Sequence, residues 1–433
     1  MLALLALVLL LLPAGLESDG TIQGALRMHI RYSLGFSSFL LAAMTLWASC
    51  ASIASDLSSK RLDMLLTKPV SRAAVWWGKW LAVVTMMSGL CLICGTVTLF
   101  RIHHILQQAD LSPEQSEMVM TQQVTARRPI DPLVVDLTEE AHLLADQQIA
   151  SGAVPEGYPI DVLYEEMEGF LKVNRNAASA GESVEWTFEL NKALSPGSEM
   201  QVSYQYDGSA MGIGLTPGKW TLGTPEQPEL LEYALEETPY GEKVIAITVP
   251  EELADAETIL LRYENQGTDG GRVFFKTDRG VRLYFNAGNF SLNLFRALFL
   301  ICGLLAIMAA IGVSAGSVFS LPVACYISAV ILLLQAFSGS VEEVVEYGQP
   351  APTEGQNVIA RGIETFQYKV YEGVLVLLKP LQVESPLGRV ADGVLISPTE
   401  VLSVICLRFI PVILFMSGIG IFLFSRREIG GAA

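Results

Sequence analysis

Few side chains in this sequence are able to do chemistry, and none falls into a catalytic set. The four histidines are His29, His103, His104 and His142. His103-His104 follows an apolar run, with Met118 and Met120 nearby, a mix of ligands that suits copper. Adjacent histidines point in different directions on a helix, and no third ligand has ligand-like spacing. The pair therefore reads as an ordinary polar feature at a helix end, and no metal is assigned. Cys91-Leu-Ile-Cys94 has the CxxC spacing of a redox pair. All six cysteines (Cys50, Cys91, Cys94, Cys302, Cys325 and Cys406) lie in apolar runs, where a thiol serves as a small packing residue. No Walker A loop occurs: the nearest stretch has Ile213 in place of the first glycine and Trp220 in place of Ser or Thr. GxSxG and HExxH are absent too. The chain is not read as an enzyme, no cofactor is assigned to it, and any ATP hydrolysis must come from a partner.

Charges inside apolar runs come next. Arg408 lies about two turns inside the run Val401–Phe424. A charge at that depth marks a pathway or a gate by default, or its long stem snorkels to the surface. Both readings stay open, and Arg408 is the candidate gate. Arg296, near the start of the run Leu292–Gly316, reads as an interfacial anchor.

The elements holding these residues are membrane spans. Of 433 residues 51% are hydrophobic and only 17% charged, with a mean hydropathy of +0.42. Soluble domains average about 25% charged residues, so an integral membrane protein is expected. The net charge of −17 is uneven: Arg101–Ser291 holds 31 acidic and 13 basic residues. This excludes a nucleic-acid partner, which needs a basic footprint. The block contains no cysteine and hence no disulfide framework.

The expected organisation has six transmembrane helices. Residues 1–100 carry three spans, with Met1–Leu12 the outer part of a first span that begins before the sequence, Glu17–Arg31 a short outer segment, and Leu34–Ala54 and Val75–Phe100 the next two. Residues 101–291 form a large extracytoplasmic α+β domain. It is helical over 101–180, including Thr138–Ala150 and Ile160–Leu171, and a β-sandwich over 181–290, where alternating runs are separated by turn residues. Residues 292–337 supply spans four and five, with small residues such as Gly303, Gly312 and Gly316 for close helix packing. Residues 338–400 form an outer loop with an amphipathic helix at Phe366–Leu381, and 401–433 the sixth span and tail.

The loop at residues 55–75 is the candidate functional element. Lys60, Arg61, Lys68 and Arg72 outnumber Asp56 and Asp63, which places the loop in the cytoplasm. Leu57, Leu62, Met64, Leu65 and Leu66 suggest a short amphipathic helix with Asp56 near its start, ended by Lys68-Pro69. Such a helix lies on the bilayer or docks into a partner's groove. Trp76, Trp77 and Trp80 beside Lys79 read as an interfacial anchor.

Asp56…Lys60-Arg61-Leu62-Asp63…Leu65-Leu66-Thr67-Lys68-Pro69-Val70-Ser71-Arg72…Gly78-Lys79-Trp80 resembles the first cytoplasmic loop of ABC-2 type ABC transporter permeases, closest to the multicopper-enzyme-maturation branch. The opening Ala54–Ser59 departs from the family's pattern. The tail Phe424-Ser425-Arg426-Arg427-Glu428 and the segment from Pro380 to Ser397 resemble the same family. The resemblance implies an exporter-like permease in the inner (cytoplasmic) membrane, multi-pass, with cytoplasmic termini. It implies docking of an ABC ATP-binding subunit, carrying ATP and Mg, on the coupling helix; the interface would comprise Asp56, Leu57, Lys60, Arg61, Leu62, Asp63, Leu65, Leu66, Lys68, Pro69 and Arg72, with Arg426, Arg427 and Glu428 in the tail. Further implied partners are the lipid bilayer, a second identical or paralogous permease, and an extracytoplasmic partner for the outer domain. The alternative is a mechanotransmitter that relays ATP-driven motion to an envelope maturation or assembly partner without transport.

Overall fold

The computed structural model describes residues 22–61, 69–108, 119, 124–154, 158–190, 194–208, 216–237, 243–267, 271–277, 280–336, 369–370, 373 and 385–426. The chain divides into two compact units, one of apolar helices and one centred on Arg127–Ala287.

Among its described residues the helical unit has four helical stretches long and apolar enough to cross a membrane: Gly24–Ser58, Arg72–Gln107, Phe290–Val318 and Pro398–Arg426. The first joins α1 (Ile22–Met28) to α2 (Gly35–Ser58) through a π-helical segment, His29–Leu34. The expected outer segment ending at Arg31 is therefore helical from Ile22. Leu26, Ile30 and Leu34 share one buried side, while Arg27 and Arg31 pair with Asp392 at 3.3 and 3.2 Å. The first expected span, Met1–Leu12, lies outside the described residues, as does all but three residues of Phe366–Leu381.

The third expected span is the longer α3 (Arg72–Gln108). The fourth is α7 (Phe290–Val318). The fifth, α8 (Leu321–Ala336), has 16 residues and extends about 24 Å, short of a ~30 Å hydrocarbon core. The last stretch comprises α10 (Pro398–Val404), a second π-segment, Ile405–Phe409, and α11 (Ile410–Arg426). Ser397 caps α10 by accepting from the Glu400 amide at 3.1 Å, as a serine before Pro398 should.

Helix α7 is the axis of this unit, packing against α2, α3, α8 and α11. Its glycines set how closely neighbours approach. A Cβ at Gly316 would come within 2.5 Å of the Cys50 carbonyl oxygen on α2, and one at Gly312 would overlap the Ser49 hydroxyl. Gly303 faces the Phe409 ring. Where backbones meet this closely, only glycine fits. At the start of α7, Asn293 donates to the Val394 carbonyl and accepts from the Ile396 amide, both at 2.8 Å. Arg296 donates to the Ile396 carbonyl at 3.1 Å. It thus also clamps α7 to the segment before α10.

The second unit holds β1 (Thr125–Ile130), α4 (Thr138–Ala150), α5 (Ile160–Arg175), β2 (Ala177–Ala178), β3 (Ser183–Glu189), β4 (Glu199–Tyr204), β5 (Tyr206–Gly208), β6 (Thr216–Gly223), β7 (Leu231–Glu237), β8 (Lys243–Thr248), α6 (Glu251–Ala254), β9 (Thr258–Asn265), β10 (Val273–Phe275) and β11 (Val281–Asn289). Among the described residues three sheets run in the orders β1-β11-β4-β8, β2-β10-β5 and β3-β9-β6-β7. The first corrects the wholly helical reading of 101–180, because β1 joins it at the edge beside β11.

Alternation dictates the layers. Val184, Trp186 and Phe188 on β3 and Ile259, Leu261 and Tyr263 on β9 are buried, with Trp186 opposite Leu261. They share one core with Met200, Val202 and Tyr204 of β4 and Leu283 of β11. Asn265, fully buried, is saturated: it donates to the Ala178 and Gly271 carbonyls and accepts from the Gly267 amide, each at 3.0 Å. Asp136 accepts from the Thr138 hydroxyl and amide at 2.6 and 3.0 Å at the start of α4, and these bonds hold its carboxyl below the usual carboxylate range.

Candidate functional site: the loop between α2 and α3

Helix α2 runs through Asp56 and Leu57 to Ser58, so both residues close the preceding span; they do not open a coupling helix as the sequence suggests. Asp56 sits at the negative end of a helix, an unfavourable place for a carboxylate. Lys79, about two turns into α3, meets it at 2.5 Å. Leu57 packs against Trp76, Val75 and Phe424 as part of the bundle. The chain then turns at Ser59-Lys60, with Lys60 at φ 55°, a left-handed conformation seldom adopted by residues with a side chain. Lys60 and Arg61 are exposed. Leu62, Asp63, Leu65, Leu66 and Lys68 lie outside the described residues. Pro69, Val70 and Ser71 are exposed, and the Ser71 hydroxyl accepts from the Ala74 amide at 3.2 Å as α3 starts.

Arg72 joins two regions that the sequence separates. Its guanidinium donates to the Phe424 and Ser425 carbonyls, each at 2.7 Å, at the end of α11. These are carbonyls a helix terminus leaves unmatched, and a cation there also opposes the helix dipole. Arg72 is therefore an internal tie to the tail. Arg426 is exposed with its guanidinium 4.5 Å from the Phe422 ring centroid. Arg427 and Glu428 lie outside the described residues.

Two of the tryptophans expected to anchor the interface make contacts inside the bundle. Trp76 is fully buried among Ile53, Ala310 and Val313, and Trp80 donates to the Ala306 carbonyl of α7 at 2.9 Å. Sequence reasoning missed this, along with the structural role of Lys79. The signal was present: Trp76 lies one helical turn before both Lys79 and Trp80, the i,i+3 and i,i+4 spacings that bring side chains together.

Asp56 and Lys79 give the first test. Asp56→Lys should lower bundle stability by about 1 kcal/mol, the scale of a partly exposed pair, and Lys79→Asp in the same chain should restore most of it. Thermal unfolding of the detergent-solubilised protein reads both; equal loss in single and double variants would remove the ion pair from the argument.

The other candidates are dispersed. Arg408 is exposed on the π-segment of the last span. His103 and His104 are exposed on α3, with Gln107 2.9 Å from the His103 ring. Among the described residues no group of three His, Cys, Asp or Glu gathers where a metal could bind. Cys91 and Cys94 are buried in the helical core as free thiols.

No known family profile and no curated protein matches this chain. Among solved structures, the enzymatically active domain of bacteriophage CBA120 tailspike protein 4 is similar over 25% of this chain and 14% of its own length, at 10% identity and a TM-score of 0.18. A likeness of that size carries no argument here. Among the described residues the fold comprises four helices long and apolar enough to cross a membrane and a separate β-rich unit.

Proposed function

We propose that this chain is the membrane-spanning permease subunit of an ABC transporter, coupling ATP hydrolysis by a separate ATP-binding subunit to export of a substrate. The observation that carries this reading is the turn Ser59–Arg61. It presents two exposed cations at one end of the bundle, while the residues on either side, Asp56 and Arg72, are tied to α3 and α11. A loop fixed at both ends transmits a push to three helices at once. In this reading the described turn and the loop after it, residues 62–68, receive the ATP-binding subunit on the cytoplasmic side of the inner membrane, and six spans pair with a second permease to form the pathway.

Charge reversal tests it. Lys60→Glu with Arg61→Glu should weaken co-purification of the ATP-binding subunit by about tenfold, a loss of about 1.4 kcal/mol. Coupled ATPase activity should fall, while thermal unfolding of the permease stays unchanged. Unaltered co-purification and ATPase activity would sink the docking claim.

A further inference from the structure

The β-rich unit contains a cleft of about 720 Å³, within the usual range for small-molecule sites. One wall is the segment following β1, where Leu133 and Val134 are exposed, Val134 at 90%. Trp186 of β3 contributes an aromatic surface. The remaining lining includes Arg175, Lys276 and Arg282.

The walls are built. The Leu133 amide donates to the Thr187 carbonyl at 2.8 Å, and Trp186 Nε1 donates to Asn176 Oδ1 at 3.0 Å. Arg282 holds Asp131 at 2.6 Å. Glu185, the other acid of the lining, is neutralised by Arg262. Arg175 and Lys276 are exposed and make no ion pair or side-chain hydrogen bond among the described residues.

The charge balance is local and opposite to that of its surroundings. Residues 101–291 carry 31 acids against 13 bases. The two acids of this cleft are already paired, and among the described residues Arg175 and Lys276 have no acidic partner beside the apolar wall. A concave site with one sign of unmatched charge concentrates the opposite ion, and exposed valine and leucine beside it favour a ligand with an apolar body.

We propose that this cleft binds a small amphipathic anion: one phosphate, sulfonate or carboxylate group on an aromatic or short acyl body. The anion pairs with Arg175 and Lys276, and the body lies against Val134, Leu133 and Trp186. The proposal is independent of the permease reading, since it needs neither ATP nor a partner subunit.

The test uses the full chain in phosphatidylcholine nanodiscs, titrated calorimetrically with 1-naphthyl phosphate against empty nanodiscs. 1-Naphthol and inorganic phosphate isolate the two halves of the probe. Saturable binding of 1-naphthyl phosphate, tighter than either half, is expected. Arg175→Ala with Lys276→Ala should weaken it by about tenfold or more, as loss of charge-assisted contacts does, without shifting thermal unfolding. Val134→Asp should weaken it through the apolar wall. Absence of saturable binding, equal affinity in the double variant, or equal affinity for inorganic phosphate would overturn the proposal.

Discussion

Gly316→Val should prevent the helical unit from packing, with a cost of about 3 kcal/mol or more from overpacking. The reason is geometric. The atom a Cβ would strike at Gly316 is the Cys50 carbonyl oxygen, part of the α2 backbone and unable to rotate away. Relief requires α2 and α7 to separate. That separation would also part Gly312 from Ser49 and disturb the packing of Ile53 with Ala310 and Val313. Gly418 on α11 is the control, because nothing lies within 4 Å of its absent Cβ. Gly418→Ala should be neutral or slightly stabilising, since alanine is the better helix former. Fluorescence-detected size exclusion and thermal unfolding in detergent separate the two variants. A Gly316→Val protein as stable and monodisperse as the parent would show that α2 and α7 need not approach this closely.

The apolar runs and the alternating strands were legible because each follows from a single chemical period. A long apolar run specifies a spanning helix, and Val184-Glu-Trp-Thr-Phe specifies a half-buried strand. What escaped depended on contacts between distant residues. β6 begins Thr216-Pro-Gly, which reads as a turn, and β7, Leu-Glu-Tyr-Ala-Leu-Glu-Glu, has no dominant period; they form a sheet because they pair with each other and with β9. In β4, Gln201 and Ser203 suggest a solvent face, yet both are buried, and Gln201 is matched by Arg127 at 2.6 Å. The candidate site was legible in the same partial way. Lys60 and Arg61 emerge exposed, but Asp56 and Arg72 turn inward. Their partners lie 23 and 352 residues away, distances across which local spacing carries no information.

Trp220→Ala should bring the β-rich unit close to unfolding while Trp220→Phe is tolerated. Trp220 is 2% exposed on the strand beside β9, with ring centroids 4.5 Å from Tyr204, 4.9 Å from Tyr263, 5.6 Å from Phe275 and 6.0 Å from Trp186. These residues come from all three sheets, so one indole ring supports the contacts that hold the layers in a common core. Truncation of a buried tryptophan costs about 3–5 kcal/mol, against roughly 5–15 kcal/mol for the whole stability of a typical domain. Phenylalanine retains part of the ring surface, and the loss should be nearer 1 kcal/mol. Limited proteolysis of the full chain reads the difference: cleavage within residues 127–287 requires local opening, and a 3 kcal/mol loss raises the open population by about a hundredfold. Faster cleavage in Trp220→Ala alone, with cuts confined to that segment, is expected. Resistance equal to the parent's would mean that the three sheets hold together through contacts other than this aromatic cluster.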